Sequence, residues 1–142
     1  MTTDADNALI ALLRENARAS IADLARRLGV SRTTVQSRIE RLERSGVIAG
    51  YSVRLSAEHE RGLVRAHILV TVPPKQSAAV AAELARIPQV RALHSVSGNF
   101  DMIIVVEAPS VSDLDTLIDR IGALDGVERT LSSIILSTRI NR

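Results

Sequence analysis

The chain has no cysteine and no tryptophan, and its 142 residues include one tyrosine and one phenylalanine. The lack of cysteine excludes a disulfide framework and a thiolate metal site. Aliphatic side chains must therefore fill the interior, and hydrophobic residues make up 46% of the chain, enough for one domain or two small ones. No apolar run reaches the roughly 18 residues that span a bilayer, and the first residues lack the features of a signal peptide. We expect a cytoplasmic location and no membrane partner.

Patterns that carry catalysis are also missing. The chain has no glycine-rich phosphate loop, no histidine pair at metal-ligand spacing and no nucleophile elbow. Its histidines are His59 in a polar stretch, and His67 and His94 in strand-like stretches, where a half-buried histidine with satisfied bonds is commoner than a ligand. We expect no enzyme activity, no catalytic residue, no metal and no cofactor.

Positive charge is unevenly distributed, although the net charge is only +2. Residues 18–44 contain seven arginines and three acidic residues. This local excess suits a polyanion partner. A solvated helical face explains so small an excess equally well, so the charge alone leaves both interpretations open.

Residues 20–50 predict two helices joined by a tight turn. Ser20 and Asp23 have the spacing of a capping box, Gly29 suits the left-handed residue that follows a helix, and Ser31 suits the cap of the next helix. A short helix braced behind a longer one is the geometry that reads base edges in the DNA major groove. A plain three-helix bundle without a nucleic-acid role is the alternative. The second helix is expected to bury Val35, Ile39 and Leu42 and to expose arginine and small polar residues.

The first turns of such a recognition helix make the base contacts. Arginine and glutamine form paired hydrogen bonds to base edges, and serine or threonine can bond to a base or a phosphate. The residue types and positions therefore select four candidate base readers: Arg32, Thr33, Gln36 and Ser37.

Other arginines are expected to contact phosphate, namely Arg41 and either Arg26 or Arg27. Arg38 lies beside the inward stripe, so an ion pair, for example with Asp23, and a phosphate contact remain equally open for it. The predicted DNA-binding residues together are Ser31, Arg32, Thr33, Thr34, Gln36, Ser37, Arg38 and Arg41.

The remaining elements can also be placed along the chain. Asp6 is expected to cap a first helix that runs to about Asn16. Residues 50–55 alternate like the strand of a winged helix-turn-helix, and residues 56–63 are polar and aperiodic. Patterns of strand, helix, strand, strand, helix and strand follow, and this order folds as a ferredoxin-like sandwich. The predicted elements are a strand at 63–72, a helix at 77–86, strands at 90–96 and 102–106, a helix opened by Ser110, and a long last strand at 127–140.

The loop Ser97–Asp101 joins the second and third of these strands. Gly98 permits a tight backbone and Asn99 tolerates positive φ. The carboxylate of Asp101, at the mouth of an apolar strand, could hold the ammonium group of a ligand. The alternative is a turn aspartate that satisfies backbone donors, and the residues alone favour this alternative.

The whole chain resembles the Lrp/AsnC, or feast/famine, family of transcriptional regulators. The similarity runs from Asp6 to about Ile140 through several spaced motifs in the family's order. These are DNALIALLRENAR at 6–18, LARRLGVS at 24–31, VQSRIERLERSGVIAGY at 35–51, SGNFD at 97–101 and ILST at 135–138.

This resemblance implies a DNA-binding regulator in which dimers form through the second domain and assemble into tetramers or octamers. It implies a small effector, commonly an amino acid, bound between effector domains of neighbouring dimers. Phe100 stands where tyrosine is frequent, so an effector contact from that hydroxyl is lost. The implied effector-binding residues are Gly98, Asn99, Phe100 and Asp101, with Thr130, Ser132 and Ser133 as weaker candidates.

The resemblance also fixes the expected organisation of the α+β chain. A winged helix-turn-helix DNA-binding domain is expected at 1–50, a strand and linker at 51–63, and a ferredoxin-like βαββαβ domain for effector binding and oligomerisation at 64–142.

Two other functions compete with this one. Siroheme decarboxylases also look like the family, but they rely on histidine and arginine residues around a tetrapyrrole, and no Arg-Arg-Phe-Gly stretch occurs here. A sensor or scaffold that has lost DNA binding is the other alternative, and the retained Arg32, Gln36 and Arg41 argue against it.

Overall fold

Three helices form the first unit of the chain, Met1–Arg54, in a computed structural model that describes residues 1–142. They are α1 (Asp4–Glu15), α2 (Ile21–Leu28) and α3 (Arg32–Arg44). Each helix turns one apolar stripe inward, which confirms the predicted helix-turn-helix. The buried side chains of this core are Leu9, Leu13, Leu24, Ala25, Val35 and Leu42.

The turn between α2 and α3 follows from its cap residues. The Ser20 hydroxyl accepts the Asp23 N–H at 3.0 Å, and the Ser31 hydroxyl accepts the Thr34 N–H at 3.1 Å. Gly29 has a φ of +68°, which only glycine adopts without steric cost. The predicted caps are confirmed, but the capping box at Ser20 is half formed, because the Asp23 carboxylate pairs with Arg26 instead.

The predicted cap of α1 was wrong. Thr3 is the N-cap, and Asp6 is the third residue of the helix. The Thr3 hydroxyl accepts the Asp6 N–H at 3.1 Å, and the Asp6 carboxylate accepts the Thr3 N–H at 3.0 Å. This reciprocal capping box satisfies two backbone donors, whereas Asp6 as the cap itself would satisfy one.

Residues 50–55 form no strand, in contrast to the prediction. A strand needs a neighbouring backbone to receive its hydrogen bonds, and these residues have none within the chain. Their apolar side chains Tyr51, Val53 and Leu55 are exposed. The Tyr51 hydroxyl donates to Glu43 of α3 at 2.9 Å.

The second unit, Leu55–Arg142, contains the predicted βαββαβ order. The expected linker at 51–63 is divided between the two units and ends in a short 3-10 helix, His59–Gly62. The elements are β1 (Val64–Thr71), α4 (Ser77–Ala85), β2 (Val90–Ser95), β3 (Met102–Ala108), α5 (Val111–Gly122) and β4 (Arg129–Ile135).

The four strands form one antiparallel sheet in the order β2-β3-β1-β4. The residues of β1 alternate between its faces, so Ala66, Ile68 and Val70 are buried beneath the helices. Both helices cover this face, through Val80 and Leu84 of α4 and through Leu114, Leu117 and Ile121 of α5.

The other face of the sheet carries no helix, and we call it the open sheet face. Residues paired directly across antiparallel strands share a face. The partners of the β1 residues His67 and Leu69 therefore define it. Its central residues are Ala92 and His94 of β2, Ile103 and Val105 of β3, His67 and Leu69 of β1, and Leu131 and Ser133 of β4.

The last strand is shorter than predicted, since it ends at Ile135 rather than near Ile140. Ile135 pairs with Arg65, at the beginning of β1. Only Val64 of β1 lies beyond that point, so most of residues 136–140 have no neighbouring strand to pair with. None of the helices is long and apolar enough to cross a membrane.

We predict that Gly126→Ala destabilises the second unit. Gly126 has a φ of +96°, and an added Cβ would lie 3.1 Å from Cγ2 of Val80 and 2.5 Å from Oε1 of Gln76. A non-glycine residue in this conformation costs about 1–3 kcal/mol, measurable as a lower midpoint of denaturant unfolding. Gly62→Ala is the matched control, because its added Cβ meets nothing within 4 Å. Equal midpoints for the two variants would contradict this account.

Candidate DNA-reading surface and effector loop

The exposed side of α3 carries the four predicted base readers. Arg32, Thr33, Gln36 and Ser37 are all solvent-exposed, and their positions in the first turns of the helix place them next to one another. Val35 and Leu42, on the opposite side, are fully or almost fully buried. The packing of the core therefore fixes which side of α3 faces outward, and that side is polar.

Local bonds restrict some of the predicted DNA-binding residues. Ser31 and Thr34 hold the start of α3, because the Ser31 hydroxyl accepts the Thr34 N–H and lies 2.8 Å from the Thr34 hydroxyl. The Gln36 amide donates to Glu40 at 3.3 Å. This bond uses one of the two amide hydrogens, so the other hydrogen and the amide oxygen of Gln36 remain available.

Arg41 has a partner that sequence reasoning missed. Its guanidinium lies 2.5 Å from the carboxylate of Asp6 in α1. Asp6 is fully buried, whereas the Arg41 side chain is 51% exposed. The pKa of Asp6 is lowered, first by the backbone N–H of Thr3 and then by Arg41, against the opposing effect of burial. No sequence signal could have joined residues so far apart in the chain.

The arginines behind α3 are distributed differently from the expectation. Arg26 pairs with Asp23, and Arg27 lies 3.5 Å from Glu15. Arg38 is half-buried and forms no ion pair. Of the two roles left open for Arg38, an ion pair with Asp23 is therefore wrong, because Arg26 occupies that carboxylate.

The loop that contains Asp101 is attached to the end of β1. The Asp101 carboxylate accepts the Val72 N–H at 2.8 Å, and the Asp101 N–H donates to the Val70 carbonyl at 2.9 Å. Asp101 thus satisfies a backbone donor, as the residues alone favoured. Its second carboxylate oxygen makes no hydrogen bond within the chain, and the residue is exposed.

The rest of the loop is exposed apart from Phe100. Gly98 has a φ of +116°, while Asn99 does not use the positive φ that it would tolerate. The guanidinium of Arg129 in β4 lies 5.1 Å from the centre of the half-buried Phe100 ring. This cation–π contact was not predicted, and it adds a positive group to the loop.

The three weaker effector candidates in β4 do not share one face of the sheet. Thr130 pairs with Val70 and Ser132 with Ile68, so both lie on the face that the helices cover. Ser133 pairs with His67 and lies on the open sheet face. Thr130 alone is at the end of the sheet where Asp101 is attached, because both meet Val70.

The histidines and the cavities lie outside these sites. His67 and His94 are exposed on the open sheet face rather than half-buried, because helices cover only the other face. No group of histidine, aspartate and glutamate side chains has the arrangement of a metal site. A cavity of about 240 Å³, open to solvent, lies at the start of α5. It is lined by Gln89, Pro109, Asp113, Thr116, Leu117 and Arg120.

Comparisons with known proteins agree with this geometry. The model of winged helix-turn-helix DNA-binding domains matches residues 3–49, and that of the Lrp/AsnC ligand binding domain matches residues 65–142. The HTH-type transcriptional regulator LrpA of Mycobacterium tuberculosis is 38% identical over 136 residues, 95% of this chain and 90% of the relative. LysM of Saccharolobus solfataricus is 29% identical over 136 residues, 95% of this chain and 94% of the relative.

Solved structures show the same fold. Escherichia coli AsnC aligns with a TM-score of 0.87 at 26% identity, covering 100% of this chain and 97% of that one. A feast or famine regulatory protein from M. tuberculosis, complexed with L-methionine, aligns with a TM-score of 0.86 at 37% identity, covering 97% and 94%.

A DNA-reading helix-turn-helix followed by a ligand binding domain defines a DNA-binding transcriptional regulator. The chain belongs to the Lrp/AsnC family of these regulators.

Proposed function

We propose that this regulator reads operator half-sites through α3 and answers to an amino acid bound at the Asp101 loop. The observation that carries the proposal is the polar, exposed side of α3, held outward by a capped and packed helix. The proposed assembly is a homodimer that forms tetramers or octamers, acting in the cytoplasm where its DNA is.

Base reading is assigned to the exposed residues of α3. Arg32 and Gln36 can each form paired hydrogen bonds to a base edge, while Thr33 and Ser37 can bond to a base or a phosphate. Ser31 and Thr34 act at the start of the helix, where their hydroxyls are engaged in the cap. Arg38, which has no acidic partner, is the proposed phosphate contact, and Arg41 remains a second candidate through its exposed half.

Effector binding is assigned to the loop Gly98–Asp101. The free oxygen of Asp101 suits the ammonium group of an amino acid, and the Phe100 ring supplies an apolar contact beside it. The M. tuberculosis regulator solved with L-methionine supports an amino acid as the ligand class. Thr130 is the β4 candidate that the position near Val70 favours, while Ser132 and Ser133 are weaker.

Assembly is assigned to the open sheet face. A row of side chains crosses this face from Leu131 through Leu69 and Ile103 to His94, and Leu131 is 50% exposed. Pairing of this face with a second copy would bury the apolar row. A two-fold dimer presents two recognition helices, so its operator should contain two related half-sites.

Catalysis forms no part of the proposal. The relatives are named as transcriptional regulators. The purified protein should be colourless. A haem or siroheme absorption band would favour the decarboxylase alternative.

We predict that Gln36→Ala and Arg38→Ala weaken DNA binding in different ways. Gln36→Ala should reduce the preference for the selected sequence by about 1–3 kcal/mol, because a base contact is lost. Arg38→Ala should weaken all sequences alike and reduce the slope of log K against log salt by about one, because a phosphate contact is lost. Gel shifts on operator and random duplexes across a salt series measure both quantities.

The control for lost charge is Arg86→Ala, since Arg86 is exposed at the end of α4. It should leave the slope unchanged. If Gln36→Ala and Arg38→Ala weaken operator and random DNA equally, the division between base reader and phosphate contact is wrong.

We predict that Asp101→Asn abolishes the effector response and leaves stability and basal DNA affinity near wild type. The amide oxygen can still accept the Val72 N–H, while the charge for an ammonium group is lost. Asp101→Ala also leaves the Val72 N–H unpaired, which should cost about 1–3 kcal/mol of stability. A thermal-shift screen against the twenty amino acids first identifies the effector, because binding to the native state raises Tm. Wild-type sensitivity of Asp101→Asn would place the effector elsewhere.

We predict that Leu131→Glu dissociates the assembly, because it puts a charge into the apolar row of the open sheet face. Sedimentation should show a smaller species, and footprinting should change from two protected half-sites to one. Val111→Glu, also at an exposed apolar residue but at the start of α5, is the control and should sediment like wild type. Wild-type sedimentation of Leu131→Glu would rule out this face as the interface.

A further inference from the structure

Asp6 is the one charged or polar residue that the structure buries completely. Both of its oxygens are used, one by the Thr3 N–H at 3.0 Å and the other by the Arg41 guanidinium at 2.5 Å. A buried carboxylate is tolerated only when it is paired and hydrogen-bonded. The buried Asp6 carboxylate therefore favours the observed position of the Arg41 guanidinium.

Arg41 lies on the flank of α3, between the buried stripe and the outward face. Its neighbour Leu42 is buried, while Ser37, one turn earlier, is exposed. Packing of Val35 and Leu42 selects the buried side of α3, and the hydrophobic effect that drives this packing is non-directional. A hydrogen bond is directional, so the bond from Arg41 to Asp6 resists such a rotation.

The position of Arg41 separates it from two of the four base readers, although Ser37 lies one turn away on the same side. Arg32 and Gln36 lie on the other flank of α3 from the residue that meets α1, given the helical repeat of 3.6 residues. A few degrees of rotation of α3 would move these side chains relative to base edges, whose paired hydrogen bonds demand accurate placement.

We propose that Asp6 and Arg41 are a positioning pair that fixes the rotation of α3 about its own axis and thereby orients the base readers. This inference rests on the proposed base readers, but neither residue needs to contact a base. The lowered pKa of Asp6 agrees with it, because the bonds from Thr3 and Arg41 stabilise the charged carboxylate more than burial disfavours it.

The test uses Asp6→Asn, Arg41→Met and the double variant in the full-length protein. Asparagine keeps an oxygen for the Thr3 N–H, and methionine keeps the apolar stem of Arg41. The probes are a duplex selected by the wild-type protein from a random pool and an unselected duplex of equal length. Each single variant should lower the ratio of selected to unselected affinity about tenfold, and the double variant should lose no more than the worse single one, because the two residues act through one contact.

The salt dependence of DNA affinity distinguishes a positioning role of Arg41 from a phosphate contact. For a positioning pair, Asp6→Asn lowers selectivity although it removes no positive charge, and Arg41→Met leaves the salt slope unchanged. If Arg41 instead contacts phosphate, Arg41→Met lowers the slope by about 0.9 and weakens both duplexes alike, while Asp6→Asn leaves selectivity intact. That result would overturn the proposal.

Two controls exclude a merely structural effect. Binding is measured well below the Tm of each variant, so a loss of stability with unchanged selectivity also overturns the proposal. Glu15→Gln is the matched substitution, because Glu15 also joins α1 to an arginine, Arg27 of α2, but through an exposed pair. It should keep wild-type selectivity. If Gln36→Ala does not alter selectivity, the assignment of the base readers is wrong. If Gln36→Ala alters selectivity but Asp6→Asn does not, the base readers stand and the positioning pair alone is wrong.

Discussion

The ion pair between Asp6 and Arg41 joins the first turn of α1 to the flank of α3, the proposed recognition helix. The Asp6 carboxylate is buried and accepts two hydrogen bonds. If the pair separated, this buried charge would lose its partner. The aliphatic core holds the three helices together and selects the buried side of each one. The proposed positioning pair adds a directional contact to this packing.

In the second unit the corresponding constraint is that helices cover only one face of the sheet. The side chains on the other face are exposed or half-buried, and His67, His94 and Leu131 are among the exposed ones. The same sheet holds the Asp101 loop at the end of β1, through backbone bonds to Val70 and Val72. The surface proposed for a second copy and the loop proposed for a ligand thus belong to one sheet.

The two units correspond to the family's division between a DNA-binding domain and a ligand-binding domain. A ligand shifts a regulator only if it binds one of its states better than another. In the proposed function that difference arises between copies of the chain, because the loop and the open sheet face both lie on the sensing unit. The reading unit needs only a fixed, polar helix, which its caps and its core provide.

The sequence by itself determined the five helices and the four strands of the sheet, the fold class and the outward side of α3. Local rules were sufficient there, because the caps Ser20, Gly29 and Ser31 act over a few residues and the apolar spacing of α3 selects its buried side. The family motifs in turn pointed to the loop at 97–101. Tertiary structure alone decided which residues meet across the chain: that Arg41 pairs with Asp6, that Arg129 lies over Phe100, and that Ser133 rather than Ser132 lies on the open sheet face. It also decided that residues 50–55 and 136–140 remain unpaired, since a strand exists only where another backbone accepts its hydrogen bonds.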